Sequence, residues 1–361
     1  DLVGVPGVIR TYPQDNWGRL DTEAPTIAET FKGAGYDTAL IGKWHLGLEG
    51  DATPTRCGFD YFHGWLGDMM DDYYKHRRHN IEYMREGTEL IKPEGHATDL
   101  FTDWASNYLN DRGEGERAPF FLFLSYNAPH TPIQPPADWL AKVKAREPGI
   151  SDRRAQLVAL IEHLDDGIGK VRASLEGAGL ADDTLIVFTS DNGGQLNVGA
   201  RNGSNRGGKQ EMWEGGIRVP TCVVWPGRTT PARRIASVTM TMDWLPTLAE
   251  AAGIAVPEGL DGRSVLPDIL GSGTVDPGRT LVWVRREGGR KYGGRVYYAI
   301  RRGNWKLLQN SPFEAMQLFD LGSDPMEQSA VTDQPKIYGE LSDALRTHIN
   351  ASGRLIWQRE P

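Results

Sequence analysis

The chain has 361 residues, of which 39% are hydrophobic, so it is long enough to bury a large core in one large domain and a smaller one. Its formal net charge at pH 7 is -8, and its lysines and arginines are scattered rather than gathered into a stripe. This composition argues against a nucleic-acid-binding surface. No stretch approaches the roughly 18 apolar residues of a membrane span, so none is predicted.

The two cysteines and the first residue of the sequence give limited information on how the protein is modified or processed. Cys57 and Cys222 are the two cysteines, too few for a disulfide scaffold or a metal knuckle, and they are either free thiols or one disulfide. The sequence begins at Asp1 with neither Met nor a signal peptide. We interpret that beginning as a fragment or a processed form.

The first predicted elements are a helix and a strand. Thr26 and Glu29 have the spacing of a capping box, which predicts a short helix, and residues 37–41 follow as a strand. Apolar residues at helical spacing predict further helices over about 96–110 and about 152–176. These helices separate the predicted strands of the first two thirds of the chain.

Two continuous apolar runs, 119–126 and 184–189, predict strands buried on both faces. Because helices and buried strands alternate, the sequence predicts a parallel α/β sheet with helices on both faces. From about residue 271 the pattern changes to short strands, which predict a small antiparallel sheet, at 281–284, 296–300, 305–308 and 317–321. A final helix at about 334–349 is expected to pack on this sheet. We therefore divide the chain into domains 1–270 and 271–361.

Candidate functional residues follow the predicted strands, because ligands of open α/β sheets bind beyond the carboxyl ends of the strands. Lys43 and His45 follow the first strand, and they would point the same way if the chain stays extended. His130 follows the second between prolines that stiffen the chain. Asp191 and Asn192 follow the third, and their oxygens suit a hard cation such as Ca²⁺ or Mg²⁺.

A further lysine, Lys209, lies on the pliable glycine-rich segment 207–220. The two lysines, two histidines and the cation site suit a reaction that polarises a tetrahedral oxyanion and protonates its leaving oxygen. Taken singly, each residue also fits a solvated charge, a structural histidine or a turn. Their joint placement favours a metal-dependent hydrolase of anions, and these residues alone do not separate sulfate from phosphate.

The segment from Tyr36 to Gly47, with the sequence YDTALIGKWHLG, resembles the second signature of the sulfatase family. Further landmarks appear in family order at 128–132, 189–193, 208–220, 243–247 and 318–327. The resemblance spans nearly the whole chain and is closest to the arylsulfatase and N-acetylgalactosamine-sulfatase branch. It implies an alkaline-phosphatase-like α/β sandwich with a mainly parallel central sheet and a small C-terminal subdomain.

The resemblance also implies roles for the candidate residues. Lys43 and Lys209 would hold sulfate oxygens. His130 would contact the bridging oxygen and help the leaving alcohol depart. His45 would draw a proton from the second hydroxyl of the covalent nucleophile. That nucleophile is a hydrated formylglycine, made from the Cys or Ser of a Cys/Ser-x-Pro-x-Arg motif by a formylglycine-generating or anaerobic maturase enzyme.

By the same resemblance, Asp191 and Asn192 would be ligands of Ca²⁺, or of Mg²⁺ as the second choice. The nucleophile motif does not occur in the sequence, because Cys57 is followed by Gly-Phe, Cys222 is followed by Val-Val, and no Ser begins a Ser-x-Pro-x-Arg run. The paired aspartates that complete the family's calcium site are not found either. Since every downstream landmark is present, we interpret the chain as N-terminally truncated and expect it to be inactive alone.

The expected substrates are sulfated carbohydrates or aryl sulfates, and the expected location is periplasmic or secreted, or lysosomal in a eukaryote. Segment 68–79 interleaves acids, aromatics and bases, which either bind a sugar or form a solvated loop. Two other functions stay open. A phosphoesterase of the alkaline phosphatase superfamily is disfavoured because its His-rich zinc set is missing, and a non-catalytic relative would bind sulfated glycans without cleaving them.

Overall fold

The computed structural model describes residues 20, 25–113, 117–286 and 296–352. The helices in these ranges are α1 (Ile27–Gly33), α2 (Ala97–Arg112), α3 (Ala137–Arg146), α4 (Asp152–Gly177), α5 (Glu214–Ile217), α6 (Trp244–Ala251), α7 (Leu266–Leu270) and α8 (Pro335–Ser352). The strands are β1 (Asp37–Lys43), β2 (Tyr61–Trp65), β3 (Arg77–Arg78), β4 (Ile81–Glu82), β5 (Met84–Glu86), β6 (Glu89–Leu90), β7 (Phe120–Ser125), β8 (Ile186–Phe188), β9 (Cys222–Val224), β10 (Thr280–Arg286), β11 (Val296–Arg302), β12 (Trp305–Gln309) and β13 (Gln317–Asp320).

The central sheet has five strands in the order β6-β5-β2-β1-β7. β1 lies parallel to both β2 and β7, whereas β5 pairs antiparallel with β2 and with β6, so the sheet is mixed. Leu40 and Ile41 of β1, whose side chains point to opposite faces of the sheet, are fully buried in the main core. The carboxyl ends of these three parallel strands meet at one edge of the sheet, where Lys43 ends β1.

Backbones approach closely at this edge. Gly42 has a φ of 111°, and a Cβ placed there would lie 2.1 Å from the carbonyl oxygen of Ser125, so only glycine fits. The hydroxyl of Ser125 donates a hydrogen bond of 2.6 Å to the carbonyl oxygen of Lys43. The ends of β1 and β7 are therefore tied together at the residue that begins the candidate site.

The predicted helices are confirmed, with caps that explain where they begin. Thr26 caps α1, and a reciprocal bond from the Thr26 backbone N–H to Glu29 completes the predicted capping box. His96 caps α2 by accepting the backbone N–H of Thr98. α2 and the long α4 lie against each other, and Phe101 and Leu160 are buried in the main core.

The predicted burial of two strands on both faces is wrong in the described part of the chain. β7 lies at the end of the central sheet, and 48% of Phe123 is exposed. β8 has three residues and pairs antiparallel with β9 in a separate two-stranded sheet, and 43% of Phe188 is exposed. Each strand has one hydrogen-bonded neighbour among the described residues, which leaves its other edge and part of its apolar surface uncovered.

The C-terminal sheet is antiparallel throughout, in the order β10-β11-β12-β13, as predicted. The final helix packs on it as expected, because Leu341 and Leu345 of α8 share a buried cluster with Ile300, Leu307 and Leu318. The predicted architecture, α/β with a small C-terminal antiparallel sheet and helix, is therefore confirmed. In the described ranges, no helix has the length and apolar character needed to cross a membrane.

Candidate functional site

Lys43 ends β1 and is half-buried at the carboxyl edge of the central sheet. Burial is the main cause that lowers the pKa of Lys43. The negative charge of Asp191 opposes this shift and raises the pKa, the positive charge of Lys209 lowers it, and Asp68 raises it. Charged residues from three other segments of the chain therefore act on the Lys43 ammonium group, and two of them, Asp191 and Lys209, are candidates from the sequence.

His130 lies in the turn that follows β7, and both its backbone and its ring are held. Its backbone N–H donates to Asn127, and its carbonyl accepts a bond of 2.9 Å from the hydroxyl of the buried Tyr73. The ring Nδ1 lies 2.8 Å from the carbonyl oxygen of Thr131. Because a carbonyl only accepts, Nδ1 carries the proton, and Nε2 of the neutral ring is an acceptor.

The pKa of His130 is lowered mainly by burial, and further by the positive charges of Lys209 and Lys43. The carbonyl of Thr131 and the charge of Asp191 act in the opposite direction. His130 therefore shares one electrostatic environment with both candidate lysines. Its low pKa favours the neutral ring in the absence of a bound anion.

Lys209 reaches this environment on a loop that lies against segment 191–194. The backbone N–H of Lys209 donates to Gly194, and the Gly193 N–H donates to Gly216. A Cβ on Gly193 would lie 1.8 Å from the carbonyl oxygen of Gly215, so the two backbones require glycine to come this close. Burial lowers the pKa of Lys209, whereas the charge of Asp191 raises it. The glycines of the loop thus allow its backbone to pack closely against the segment that contains Asp191.

Asn202 fixes the same contact and is a residue that the sequence analysis missed. Its Nδ2 donates to the carbonyl oxygens of Gly194, at 3.2 Å, and Gly207, at 2.9 Å. Its Oδ1 accepts the backbone N–H of Gly194 at 2.9 Å. One amide side chain therefore joins the Asp191 segment to the Lys209 loop. No local pattern identifies such a role, because both partners are backbone groups.

The expected extension of the chain from Lys43 to His45 is wrong. β1 ends at Lys43, and His45 has a φ of 64°, in the left-handed region. Its backbone N–H donates to Leu66 at 3.2 Å. The chain therefore turns directly after the strand, so the alternation of a strand does not set the direction of the His45 side chain.

The candidate cation ligands follow β8. Asp191 is exposed and Asn192 is half-buried, and the carbonyl of Asn192 accepts a bond of 3.1 Å from the hydroxyl of Ser190. A carboxylate and an amide oxygen are hard ligands that fit Ca²⁺ or Mg²⁺, but they fill only part of a shell of about six to eight oxygens. The two residues therefore offer the type of ligand atom that the predicted cation prefers, but too few ligands to complete its shell.

Segment 68–79 is largely bound to itself. Arg78 forms ion pairs with Asp68 at 3.1 Å and with Asp71 at 2.8 Å, and Tyr73 is buried in the core. Asp68 is the member of this segment whose charge acts on Lys43. The mixture of acids, aromatics and bases is thus explained mainly by contacts inside the segment.

Arg285 of β10 is a second residue that the sequence analysis missed. Its charge lowers the pKa of Lys209, and its Nη1 donates a bond of 3.3 Å to the carbonyl oxygen of Gln210. The C-terminal sheet therefore contributes a cation beside the Lys209 loop. With Lys43 and Lys209, it is a third basic side chain in this part of the protein, where Asp191 and Asp68 supply opposing negative charge.

A separate group of potential metal ligands, His96, Asp99 and His163, has ligand atoms within 4.8 Å of one another. His163 Nε2 lies 2.7 Å from Asp99 Oδ1. His96 Nε2 lies 3.0 Å from the carbonyl oxygen of Gln134, and its Nδ1 accepts the Thr98 N–H. Both ring nitrogens of His96 therefore form hydrogen bonds. The hydrogen bonds of α2 with its neighbours account for the closeness of these three side chains.

The two cysteines are both free thiols. Cys57 is fully buried and donates to the carbonyl oxygen of Asp51 at 3.3 Å, and burial raises the pKa of its thiol to about 11. Cys222 is exposed on β9. The high pKa and full burial make Cys57 a poor nucleophile.

The chain is similar in sequence to known protein families and to curated proteins. The chain matches the family model described as Sulfatase over residues 6–254, and the model described as N-sulphoglucosamine sulphohydrolase, C-terminal, over residues 207–354. N-acetylgalactosamine-6-sulfatase of Canis lupus familiaris is 29% identical over 311 residues, which cover 81% of this chain and 56% of that protein. Arylsulfatase J of Mus musculus is 30% identical over 324 residues, which cover 81% and 52%. The chain spans about half the length of the curated relatives it matches.

Solved structures show the same similarity. The crystal structure of Ps i-CgsB in complex with k-i-k-neocarrahexaose has a TM-score of 0.86 at 28% identity, and the match covers 98% of this chain and 79% of that chain. PsFucS1 sulfatase from Pseudoalteromonas sp. has a TM-score of 0.76 at 21% identity, with coverage of 98% and 78%, which shows the fold alone.

Proposed function

The chain belongs to the sulfatase family, and from this premise we propose that it forms the sulfate-binding part of an enzyme that hydrolyses sulfate esters of carbohydrates or aryl alcohols. Its fold is the alkaline-phosphatase-like α/β sandwich. The observation that carries the proposal is the shared electrostatic environment of Lys43, His130 and Lys209 beside Asp191. Three cationic or protonatable groups from distant segments meet there, as a tetrahedral anion requires.

Lys43 and Lys209 bind the sulfate oxygens. Lys209 lowers the pKa of Lys43, both lysines lower the pKa of His130, and burial lowers the pKa of each lysine. A bound sulfate ester supplies the negative charge that this arrangement favours. The same two charges stabilise the sulfate group as its S–O bond to the alcohol breaks.

His130 acts at the bridging oxygen. Thr131 holds the proton on Nδ1, so Nε2 is the atom that exchanges a proton with substrate. In the free site His130 favours the neutral form, because burial and the lysines lower its pKa. A bound anion raises that pKa, so protonated Nε2 becomes available to donate to the departing alcohol.

His45 would accept a proton from the second hydroxyl of the hydrated formylglycine, so that the C–O bond to sulfate breaks and the aldehyde forms; water would then add to the aldehyde and restore the nucleophile. This role rests on the family resemblance of Lys43-Trp-His45. A formylglycine, made by a formylglycine-generating or anaerobic maturase enzyme, would supply the nucleophile. Within these 361 residues no Cys/Ser-x-Pro-x-Arg motif is present to form it.

Asp191 and Asn192 hold Ca²⁺, with Mg²⁺ as the second choice, because they offer one carboxylate and one amide oxygen. When bound, the cation would supply positive charge for the sulfate oxygens and the nucleophile. Asp191 also offsets the charges of Lys43 and Lys209 in the described structure. The expected location, periplasmic or secreted, or lysosomal in a eukaryote, follows from the family.

Anion binding by this chain tests the proposal without the nucleophile. Inorganic sulfate is titrated calorimetrically into the wild type, Lys43→Ala, Lys209→Ala and the control Lys170→Ala, which removes an exposed lysine paired with Asp166. We expect a loss of about tenfold or more for each site variant and none for the control. Sulfate binding that ignores both site lysines would overturn the proposal.

Catalysis is tested in a protein that joins this chain to a matured Cys-x-Pro-x-Arg segment, with nitrophenyl sulfate and nitrophenyl phosphate compared. Sulfate hydrolysis that depends on Lys43 supports the proposal. Hydrolysis of phosphate alone indicates a phosphoesterase. Binding of sulfated glycans with no hydrolysis of either ester indicates a non-catalytic binding protein.

A further inference from the structure

Glu327 is a buried carboxylate that ends segment 318–327, one of the landmarks of the sulfatase family in this chain. Its side chain has no solvent exposure, and its φ of 53° lies in the left-handed region. Asp324 closes the turn, because its carbonyl oxygen accepts the Glu327 backbone N–H at 3.1 Å and its carboxylate accepts the N–H groups of the two residues after Glu327. A buried charge in a strained backbone position costs free energy, so the contacts of Glu327 have to offset that cost.

Glu327 binds both ends of the loop that carries Lys209. At the start of the loop, the carbonyl oxygen of Glu327 accepts a bond of 2.5 Å from Nη1 of Arg206. At its end, Oε2 of Glu327 accepts the backbone N–H of Glu214 at 2.7 Å. The two ends also meet each other, because the backbone N–H of Gly215 donates to the carbonyl oxygen of Arg206 at 2.8 Å. One residue from the C-terminal part of the chain therefore closes the base of the loop.

The side chain of Arg206 also packs on the C-terminal sheet through Trp213. The guanidinium carbon of Arg206 lies 3.7 Å from the centre of the Trp213 ring. That buried ring meets Phe319 of β13 edge-on, with ring centres 5.3 Å apart. The residue that donates to the Glu327 carbonyl is thus held on both sides, and the base of the Lys209 loop has a fixed position on the sheet.

The other side of the loop faces the anion site. The backbone N–H of Lys209 donates to Gly194, and the charge of Lys209 lowers the pKa of Lys43 and of His130. The Lys209 ammonium group ends a flexible stem of four methylenes, so its mean position depends on the backbone that carries it. Lys209 lies between the two loop residues that Glu327 binds. A displacement of either end of the loop is therefore expected to move the ammonium group.

We propose that Glu327 is a positioning residue for sulfate binding, which keeps the Lys209 ammonium group beside Lys43 and His130 by holding both ends of the Lys209 loop. The proposal rests on the proposed function, because it needs Lys209 to bind the sulfate group. It gives the C-terminal sheet a part in anion binding that acts through the loop, in addition to its part in stability.

Calorimetric titration of inorganic sulfate into the 361-residue chain tests this role. The proteins are the wild type, Glu327→Gly, Lys209→Ala and the double variant. Glu327→Gly keeps the left-handed backbone and the carbonyl oxygen that Arg206 binds, and it removes the carboxylate. The control is Glu340→Gln, at an exposed glutamate of α8 that is paired with Arg302. Thermal unfolding of each variant shows whether it is folded.

Two further variants probe the same contacts. Glu327→Gln keeps an amide oxygen that can accept the Glu214 N–H, so it should restore part of the binding lost in Glu327→Gly. Arg206→Met removes the bond to the Glu327 carbonyl from the loop side and leaves no buried charge unpaired. It therefore tests the attachment of the loop even if Glu327→Gly does not fold.

Glu327→Gly and Arg206→Met are each expected to weaken sulfate binding about fivefold or more, as residues of one hydrogen-bonded network do when they are coupled. Glu340→Gln should bind sulfate like the wild type. In the Lys209→Ala background, Glu327→Gly should cause no further loss, because Glu327 acts through Lys209. A role in stability alone would not produce this dependence on Lys209.

Wild-type sulfate affinity in both Glu327→Gly and Arg206→Met, or a loss that persists in full without Lys209, would overturn the positioning role. Failure of the proposed function has a different result, since Lys209→Ala then leaves sulfate affinity unchanged. In that case NMR titration of the sulfate-free chain decides. Lys209 lowers the pKa of His130, so its displacement in Glu327→Gly should raise that pKa. An unchanged pKa of His130 would then overturn the positioning role.

Discussion

Lys306 of β12 donates a hydrogen bond of 2.9 Å from Nζ to Glu214, which begins α5 five residues after Lys209. The Lys306 side chain has no solvent exposure, and it also lies 2.7 Å from a carboxylate oxygen of Glu327. Glu327 in turn accepts the backbone N–H of Glu214 at 2.7 Å. One buried ammonium group therefore attaches the loop that carries Lys209 to the C-terminal sheet.

Lys306→Met is expected to destabilise the protein by about 3–5 kcal/mol, because it leaves Glu327 buried without its cation and leaves Glu214 with the more distant Arg301, at 3.8 Å. Denaturant unfolding measures the change against Lys336→Met, which alters an exposed lysine of α8. Replacing both carboxylates as well, with Glu214→Gln and Glu327→Gln, should recover part of the loss. A Lys306→Met variant as stable as the control would contradict this account.

Local sequence patterns predicted the elements that depend on local contacts. The capping box of Thr26 and Glu29 and the apolar stripe of α4 needed only neighbouring residues, and both are present. β2, from Tyr61 to Trp65, was not predicted, although it lies in the middle of the sheet. Its five residues include a histidine and a glycine, which hide the apolar pattern of a buried strand.

Only some residues of the candidate site were proposed from the sequence. Lys43 and His130 were proposed because ligands of open α/β sheets bind beyond the carboxyl ends of the strands, and Lys209 was proposed because it lies on a glycine-rich loop. Asn202 and Arg285 were missed because their partners are distant in sequence or belong to the backbone. The burial of β7 and β8 was overestimated because an apolar run does not reveal how many neighbours a strand has.

The cation site should bind weakly in this chain. Asp191 and Asn192 supply two oxygens of a larger shell, so we expect a dissociation constant for Ca²⁺ on the order of 10⁻⁴ M or weaker. Calorimetry should show a further loss in Asp191→Asn and no change in Asp152→Asn, an exposed aspartate paired with Lys144. Tight, stoichiometric Zn²⁺ binding that depends on Asp191 would favour a phosphatase-type site instead.

Stability should fall as the pH is lowered from about 6.5 towards 4. Burial lowers the pKa of His63 and of His96 to about 4, so each stays neutral in the folded state while the unfolded chain takes up a proton. The free energy of unfolding then decreases by up to about 1.4 kcal/mol per pH unit for each histidine.

His63→Gln should reduce this slope, because it removes one of the two groups that take up a proton on unfolding. Denaturant unfolding at several pH values between 4 and 7 measures the slope. His63 also stacks on Trp104 with ring centres 3.5 Å apart, so a uniform loss of stability is expected in His63→Gln as well. If the change of the unfolding free energy with pH is the same in His63→Gln as in the wild type, His63 does not cause it.

Binding of sulfate should raise the pKa of His130. Burial, Lys209 and Lys43 all lower it in the free chain, and a bound anion offsets the two lysine charges. The ring nitrogens are followed by NMR across a pH titration with and without inorganic sulfate, with His63 as the internal control. A pKa that is the same in both titrations would show that sulfate does not bind beside His130.

The leaving-group role of His130 makes a sharper prediction for a catalytically complete protein. If Nε2 donates a proton to the departing oxygen, His130→Ala should reduce hydrolysis of alkyl and sugar sulfates far more than that of nitrophenyl sulfate. Nitrophenolate leaves readily as an anion, so its departure hardly depends on a proton donor, whereas an alkoxide requires one. General acid catalysis contributes about 10²–10⁴-fold, which sets the expected difference in kcat/KM between the two substrates.

Tyr73→Phe serves as the comparison, because it removes only the hydroxyl that holds the His130 carbonyl and should affect both substrates alike. Equal losses on both substrates in His130→Ala would assign the residue to positioning the sulfate group rather than to proton transfer.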